Sequence, residues 1–251
     1  ERLDIYQEAV GRLIEQGDAY YCICSPDKLA SMRKEQQKHG KPPGYDRLCR
    51  SAGHARKDKY GLNRVARFAT PIEGLPVTTD DLIRGEVKVE LSVIDDFVIL
   101  KSDGFPTYHL ANVLDDHHMQ ISHVMRAEEW LPSTPRHLLL YKALSFDPPI
   151  FAHLPMILGP DRAKLSKRHG ATTLLEYRDE GYLPEAMLNF LVLLGWSLDD
   201  KTEVMDLTEL IKNFSLSRIG KSPAIFDITK LEWMNGIYIR SMPVERLAEH
   251  I

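Results

Sequence analysis

At 251 residues, 43% hydrophobic and 27% charged, the chain can bury a sizeable core and has the length of one large or two ordinary domains. No run approaches the roughly 18 apolar residues of a membrane helix, and the start, Glu1-Arg2-Leu3-Asp4, carries neither an initiator Met nor a signal-peptide stretch. A soluble cytoplasmic protein is expected, with Glu1 a cut rather than a beginning. A formal net charge of −4 excludes a uniformly basic nucleic-acid binder.

Leu3, Tyr6, Val10, Leu13 and Ile14 recur at helical spacing ahead of Gly17, which predicts an amphipathic helix with a glycine stop. A short strand over 19–24 follows, then Ser25-Pro26 as N-cap and first-turn proline of a helix to about Gln37. Residues 39–61 are rich in Gly, Pro and Lys and read as loop, whereas 65–70, 87–94 and 97–101 are β-like. After Ser102-Asp103-Gly104 the elements alternate: helix 108–116, buried strand 121–125, helix 135–144 capped by Ser133-Thr134. Such alternation favours a parallel sheet, whose strand ends gather ligands, and it places Arg126-Ala127-Glu128-Glu129-Trp130 at a site rim. Beyond Gly170 the chain is helical, with candidates at 183–194, 207–214 and 228–234.

Charge is unevenly spread. Between Lys28 and Arg67 stand twelve Lys or Arg against three acids, a local +9 that leaves −13 elsewhere and suits a phosphate backbone docked on one face. A second basic element follows Asp161, where Arg162, Lys164, Lys167 and Arg168 precede His169-Gly170. Two lysines three apart, with Ser166 between, can straddle a polyphosphate whose charge grows as pyrophosphate leaves. Arg126 at a strand end, with few other cations near it in the chain, suits a bidentate grip on a carboxylate that an amide cannot reproduce. Tyr108 and Asn112, four apart, share a helix face.

The string Lys164-Leu165-Ser166-Lys167-Arg168-His169-Gly170 resembles the second signature of class I aminoacyl-tRNA synthetases in the variant of the glutamate enzymes. Three further blocks resemble that family in the same order: Ser102-Asp103-Gly104 through Asn112, Arg126 through Pro135, and Leu231-Glu232-Trp233-Met234-Asn235-Gly236. The resemblance covers nearly the whole chain. It implies a partial Rossmann-like α/β catalytic domain with a mixed α+β insertion and an α-helical connector: 1–19 and 107–160 catalytic, 20–106 the insertion that meets the tRNA acceptor end, 161–251 the ATP loop and connector. The +9 segment falls inside that insertion.

The implied reaction joins L-glutamate to tRNA(Glu) through a glutamyl-adenylate, with ATP as substrate and Mg²⁺ neutralising its phosphates. It needs positioning and charge stabilisation rather than a nucleophile or general base, so His117, His118 and His123 need no catalytic role. By resemblance, Arg126, Tyr108 and Asn112 contact glutamate, and Lys164, Ser166 and Lys167 hold the phosphates. Glu129 and the Ile157 backbone serve ATP, while Asp116, Trp130, Arg47, Arg50 and Arg64 face tRNA. The glutamine enzymes have a residue similar to Cys where this chain has Arg126. A monomer is expected.

Cys22-Ile23-Cys24 with Cys49 is a plausible zinc half-site. Some family members place a His two residues after the third Cys, where this chain has Ser51; related proteins use a Tyr four residues before it, a spacing Tyr45 fits, with His39 and His54 as rivals. The first class I signature and the anticodon-binding helices are expected to lie outside these 251 residues, leaving the chain alone inactive in glutamate activation. Alternatives are a paralogue that glutamylates a modified base of tRNA(Asp) and a non-catalytic tRNA-binding module.

Overall fold

The apolar stripe of the first helix is buried as its spacing requires. In the computed structural model, α1 (Leu3–Gln16) sinks Val10 and Leu13, and Gly17 ends it in the left-handed conformation at φ 90°. The structure describes residues 2–51, 64–166 and 173–247, so Lys167, Arg168, His54 and much of the basic segment lie outside the described residues. The chain divides into two compact units: Glu1–Asp80, Gly85–Val124 and Pro132–Phe151 form one, and Asp81–Arg84, Met125–Leu131 and Ala152–Ile251 the other. Among the described residues no helix is long and apolar enough to cross a membrane.

In the first unit, β1 (Ala19–Cys22), β2 (Val65–Phe68) and β5 (Val98–Leu100) form a sheet in the order β1-β2-β5, with Ala19 opposite Phe68 and Cys22 opposite Val65 in an antiparallel pair. α2 (Pro26–Lys38) begins where Ser25 accepts the Lys28 amide, and α3 (Leu48–Ser51) is a single turn inside the predicted loop. The unit also holds β4 (Gly85–Val89), the starts of β3 (Val77–Asp81), β6 (His123–Ala127) and β7 (Ile150–Leu154), and the helices α4 (Tyr108–His118) and α5 (Thr134–Leu144). These strand portions follow the order β4-β3-β7-β6. Leu13, Ile99, Leu110, Val113 and Leu140 are fully buried at the centre of the core.

Several boundaries depart from expectation for identifiable reasons. The predicted 87–94 strand splits into β4 and a 3-10 turn at Leu91–Val93. The predicted buried strand at 121–125 starts later and has no buried residue. Gln120 is left-handed at φ 55°, and the Ile121 amide closes back on the Asp116 carbonyl, so Ile121 belongs to the turn out of α4. Ser133 does not cap α5: it continues a 3-10 helix over Glu128–Ser133 and makes no cap bond. β3 escaped notice because Val77-Thr78-Thr79-Asp80-Asp81 offers little apolar alternation.

The second unit carries the short parallel pair β8 (Ile157–Leu158) and β9 (Ala224–Ile225) with α6 (Leu174–Asp179), α7 (Pro184–Leu193), α8 (Leu207–Asn213), α9 (Ile228–Ser241) and α10 (Val244–Leu247). α9 runs seven residues past the predicted end. Asn235, just past the predicted end, uses its side chain to accept the Leu183 amide at 2.9 Å and donate to the Gly181 carbonyl at 3.1 Å. Its contribution is tertiary, tying α9 to the start of α7, and the helix continues beneath it.

Asp96 organises the sheet end of the first unit. Its side chain has no exposure, yet it accepts the Tyr20 hydroxyl (2.7 Å), Arg47 Nε (3.2 Å), Arg50 Nη1 (3.4 Å) and the Thr70 amide (3.2 Å). The Asp96 backbone carbonyl takes Arg67 at 2.8 Å. Replacing Asp96 by Ala removes the carboxylate from two guanidiniums that keep their carbonyl partners and about a quarter of their surface in water, 25% and 29%. The expected cost is about 2–3 kcal/mol, under that of a fully enclosed pair. Urea unfolding measures it, and the buried thiols of Cys22 on β1 and Cys49 in α3 should become reactive at lower urea than in the parent.

Candidate functional site

Within the second unit, the carboxyl ends of β6 and β7 bring together Arg126, Glu128, Glu129 and His153, joined by the 81–84 turn. Asp81 is buried and accepts four donors: the amides of Ile83 (3.0 Å), Arg84 (2.8 Å) and His153 (3.1 Å), and His153 Nδ1 at 2.6 Å. The other ring nitrogen of His153 accepts Arg126 Nε at 3.1 Å. Arg84 donates to the His153 carbonyl at 3.2 Å and pairs with Glu128 at 2.6 Å, while Glu128 accepts the Met156 amide at 3.1 Å. Arg126 thus has a second guanidinium in its surroundings, contrary to the isolation its sequence neighbours suggest; chain distance hides Arg84.

The basic loop turns back on β8. Leu165 donates its amide to the Ile157 carbonyl at 3.0 Å, Lys164 bridges Leu158, and Asp161 caps the turn by accepting the Ala163 amide at 2.9 Å. Lys164 pairs with Glu129, two residues expected in one ATP site; both are partly exposed, at 59% and 38%. Such a pair contributes at most about 1 kcal/mol and is easily exchanged for a phosphate. Ser166 is exposed beside it in sequence, and the partner Lys167 lies outside the described residues. Trp130 is half-buried in the 3-10 helix rather than in a core.

In the first unit, Tyr108 opens α4 and is 46% exposed, and Asn112 one turn on donates to Asp116 at 2.9 Å. Two residues expected to serve different substrates are therefore one hydrogen-bonded pair. Arg47 and Arg50 turn inward to Asp96, so the exposed positive patch is weaker than charge counting predicts; Arg64 lies over the Tyr21 ring at 3.7 Å.

Cys22, Cys24 and Cys49 place their sulfurs within 4.8 Å of one another. The Tyr45 hydroxyl lies 3.3 Å from Cys22 Sγ and 3.5 Å from Cys24 Sγ, and Cys24 and Cys49 are 3.5 Å apart. A tetrahedral zinc with bonds of about 2.3 Å separates its sulfurs by about 3.8 Å, so the three thiols and the phenol fit such an ion with small adjustments. His39 does not join them: its ring bonds the Glu35 carbonyl of its own helix. Burial, with the neighbouring thiols, pushes Cys24 up to about 11. Burial also acts to raise Cys22, but hydrogen bonds from Tyr45 and Arg67 outweigh it and leave that thiol below its ordinary value.

A profile of the tRNA synthetases class I (E and Q), catalytic domain, matches residues 1–233. The chain belongs to this family. It is 59% identical over 248 residues to a glutamate–tRNA ligase of Dehalococcoides mccartyi, covering 99% of this chain and 50% of that protein. Against the glutamate–tRNA ligase of Moorella thermoacetica it is 51% identical over 250 residues, covering 98% and 51%. A crystal structure of a glutamate tRNA ligase from Elizabethkingia meningosepticum, in complex with its amino acid, superposes at TM-score 0.83 with 37% identity over 96% of this chain and 54% of that one. The fold is therefore that of a class I synthetase catalytic domain, mixed α/β and Rossmann-like. The chain spans about half the length of the curated relatives it matches.

Sequence reasoning missed Asp81, Arg84 and His153, and placed Glu128 at the site rim without a role. Seventy-two positions separate Asp81 from His153, and no motif links them. The available signal was a polar residue inside the apolar run Ile150-Phe151-Ala152-His153-Leu154, which asks for a buried partner.

Burial holds His153 below its ordinary value; Asp81 opposes this, and the positive charges of Arg126 and Arg84 reinforce it. The unfolded chain then takes up the histidine proton at a higher pH than the folded one. The associated stability is full above about pH 6.5 and is lost as pH falls toward the folded value. Burial also acts to raise Asp81, but its amide and imidazole donors leave it below the ordinary carboxylate value, so its contribution is lost only at still lower pH. Thermal melts should show the midpoint falling from about pH 7.5 to about pH 5.5, with a shallower fall in His153→Gln.

Proposed function

We propose that this chain is the catalytic and acceptor-end-binding portion of a ligase that joins L-glutamate to tRNA(Glu) through glutamyl-adenylate. The observation that carries the reading is Arg126, held at the carboxyl end of β6 in the unit that also contains the basic loop. A guanidinium fixed there suits the side-chain carboxylate of glutamate and rejects the amide of glutamine, whose nitrogen would face donors. Tyr108 and Asn112 complete the amino-acid contacts in this reading, and the Elizabethkingia relative, solved with its amino acid, supports that choice of substrate.

Lys164 and Lys167 take the ATP phosphates, with Ser166 between them, and Mg²⁺ arrives with the nucleotide. The Glu129 partnership keeps Lys164 extended until phosphate replaces the carboxylate. The Ile157 backbone serves the adenine; its carbonyl already accepts Leu165, so further recognition falls to its amide or the second lone pair. Asp116 and Trp130 serve the tRNA 3′ end, and Arg64, with Arg47 and Arg50 in a lesser part, its acceptor stem. Residues 20–106 act as the acceptor-end insertion, 1–19 and 107–160 as catalytic parts and 161–251 as ATP loop and connector. The protein works as a cytoplasmic monomer.

Cys22, Cys24, Cys49 and Tyr45 hold zinc in a structural role, for which three thiols and a phenol buried together are a suitable donor set. Elemental analysis should find one zinc per chain, lost in Cys49→Ala and retained with weaker affinity in Tyr45→Phe.

The function is tested by glutamate-dependent ATP–pyrophosphate exchange in a protein of the relatives' full length. Arg126→Ala should cut kcat/KM for glutamate by at least about a hundredfold, because two charge-assisted bonds are lost. Exchange indifferent to that substitution rejects the assignment.

A further inference from the structure

We propose that His153, held by Asp81, is the positioning residue that fixes the Arg126 guanidinium for carboxylate recognition; this deepens the reading of Arg126 as the glutamate contact and rests on it. The geometry leaves the imidazole one protonation state. Asp81 already accepts three amides, and as a carboxylate it can only accept at 2.6 Å, so the proton sits on Nδ1. Arg126 Nε is always a donor, so Nε2 at 3.1 Å must be the acceptor. A second ring proton would set two donors face to face. The side chains of Asp81 and His153 have no solvent exposure, so water cannot substitute for either link.

Two consequences bear on recognition. Nε is committed to His153, which closes the side-on mode in which Nε and one terminal nitrogen share a carboxylate, and selects the end-on mode through both terminal nitrogens. A neutral imidazole also orients the guanidinium without cancelling its charge. A carboxylate in the same place would orient it equally well but would be a permanent rival to the substrate's own carboxylate. The Asp81 charge is kept one ring away, where three backbone amides share it.

The test uses a protein of the relatives' full length. Nitrogen-15 spectra of its histidines at neutral pH should show His153 protonated at Nδ1 with an accepting Nε2 whose resonance moves in Arg126→Ala; an imidazolium, or a proton on Nε2, overturns the proposal. His153→Leu should raise KM for glutamate roughly ten- to hundredfold and narrow the preference for glutamate over glutamine, leaving KM for ATP within about twofold. His153→Gln, whose amide can donate to Asp81 and accept from Arg126, should recover most of the loss. A folded His153→Leu protein with unchanged glutamate KM and discrimination overturns the relay while Arg126→Ala still abolishes glutamate use. Arg126→Ala without effect on glutamate overturns the relay and the reading beneath it together.

Discussion

Two carboxylates shut away from water, Asp81 and Asp96, impose the constraint around which each unit is built. An ion of that size costs several kcal/mol to bury, and only a complete set of donors offsets it. Asp96 collects its donors from four places: Tyr20 on β1, Arg47 and Arg50 flanking and within α3, and Thr70 after β2. Arg47 adopts a left-handed backbone at φ 61° while reaching both Asp96 and the Ile94 carbonyl. Because β1 also carries Cys22 and α3 carries Cys49, the contacts that satisfy Asp96 hold the same two elements whose thiols meet Tyr45.

Asp81 does the corresponding work in the second unit, but its outermost donor leads to chemistry. Three backbone amides fix the carboxylate, the carboxylate fixes a tautomer, and the tautomer fixes a guanidinium. The basic loop is built to the opposite specification. Lys164 and Glu129 meet in partial solvent, where an ion pair is weak and screened, and the loop bends through a left-handed Arg162. A rigid arginine and an exchangeable lysine in one unit suit different tasks. Discriminating a carboxylate from an amide needs fixed geometry, whereas following a phosphate whose charge changes during reaction needs a mobile point charge.

What could be read in the chain beforehand follows from this division. Local signals were legible: the periodicity and glycine stop of α1, the Ser25-Pro26 start of α2, the strand end that presents Arg126. So was the Cys22-x-Cys24 spacing, because a two-residue step on one strand end is local. Features that depend on contacts distant in sequence were not legible. The tie Asn235 makes between α9 and the start of α7 was hidden because its partners Gly181 and Leu183 are more than fifty residues away. β3 is too polar to announce itself, and its Asp81 has meaning only beside His153. Strand 121–125 shifted because the turn closing α4 consumes Ile121, a detail of backbone hydrogen bonding that composition does not encode.

Charge counting misled in an instructive way. The +9 of residues 28–67 treats each arginine as available to a polyanion, yet Arg47 and Arg50 spend their guanidiniums on Asp96, and Arg67, only 5% exposed, lies over the Tyr45 ring at 3.8 Å and donates to the Asp96 carbonyl. Three of the twelve cations thus belong to the interior. An arginine is suited to that duty because it never loses its proton and its planar fork can serve a carboxylate and a carbonyl together. Lys28, Arg33, Lys34, Lys38 and Lys41 lie on or just after α2, a helix with no buried residue, and all five are exposed. Position therefore separates the two roles among the described residues: arginines near the thiol cluster neutralise buried oxygen, and the cations along α2 supply the field a phosphate backbone would meet.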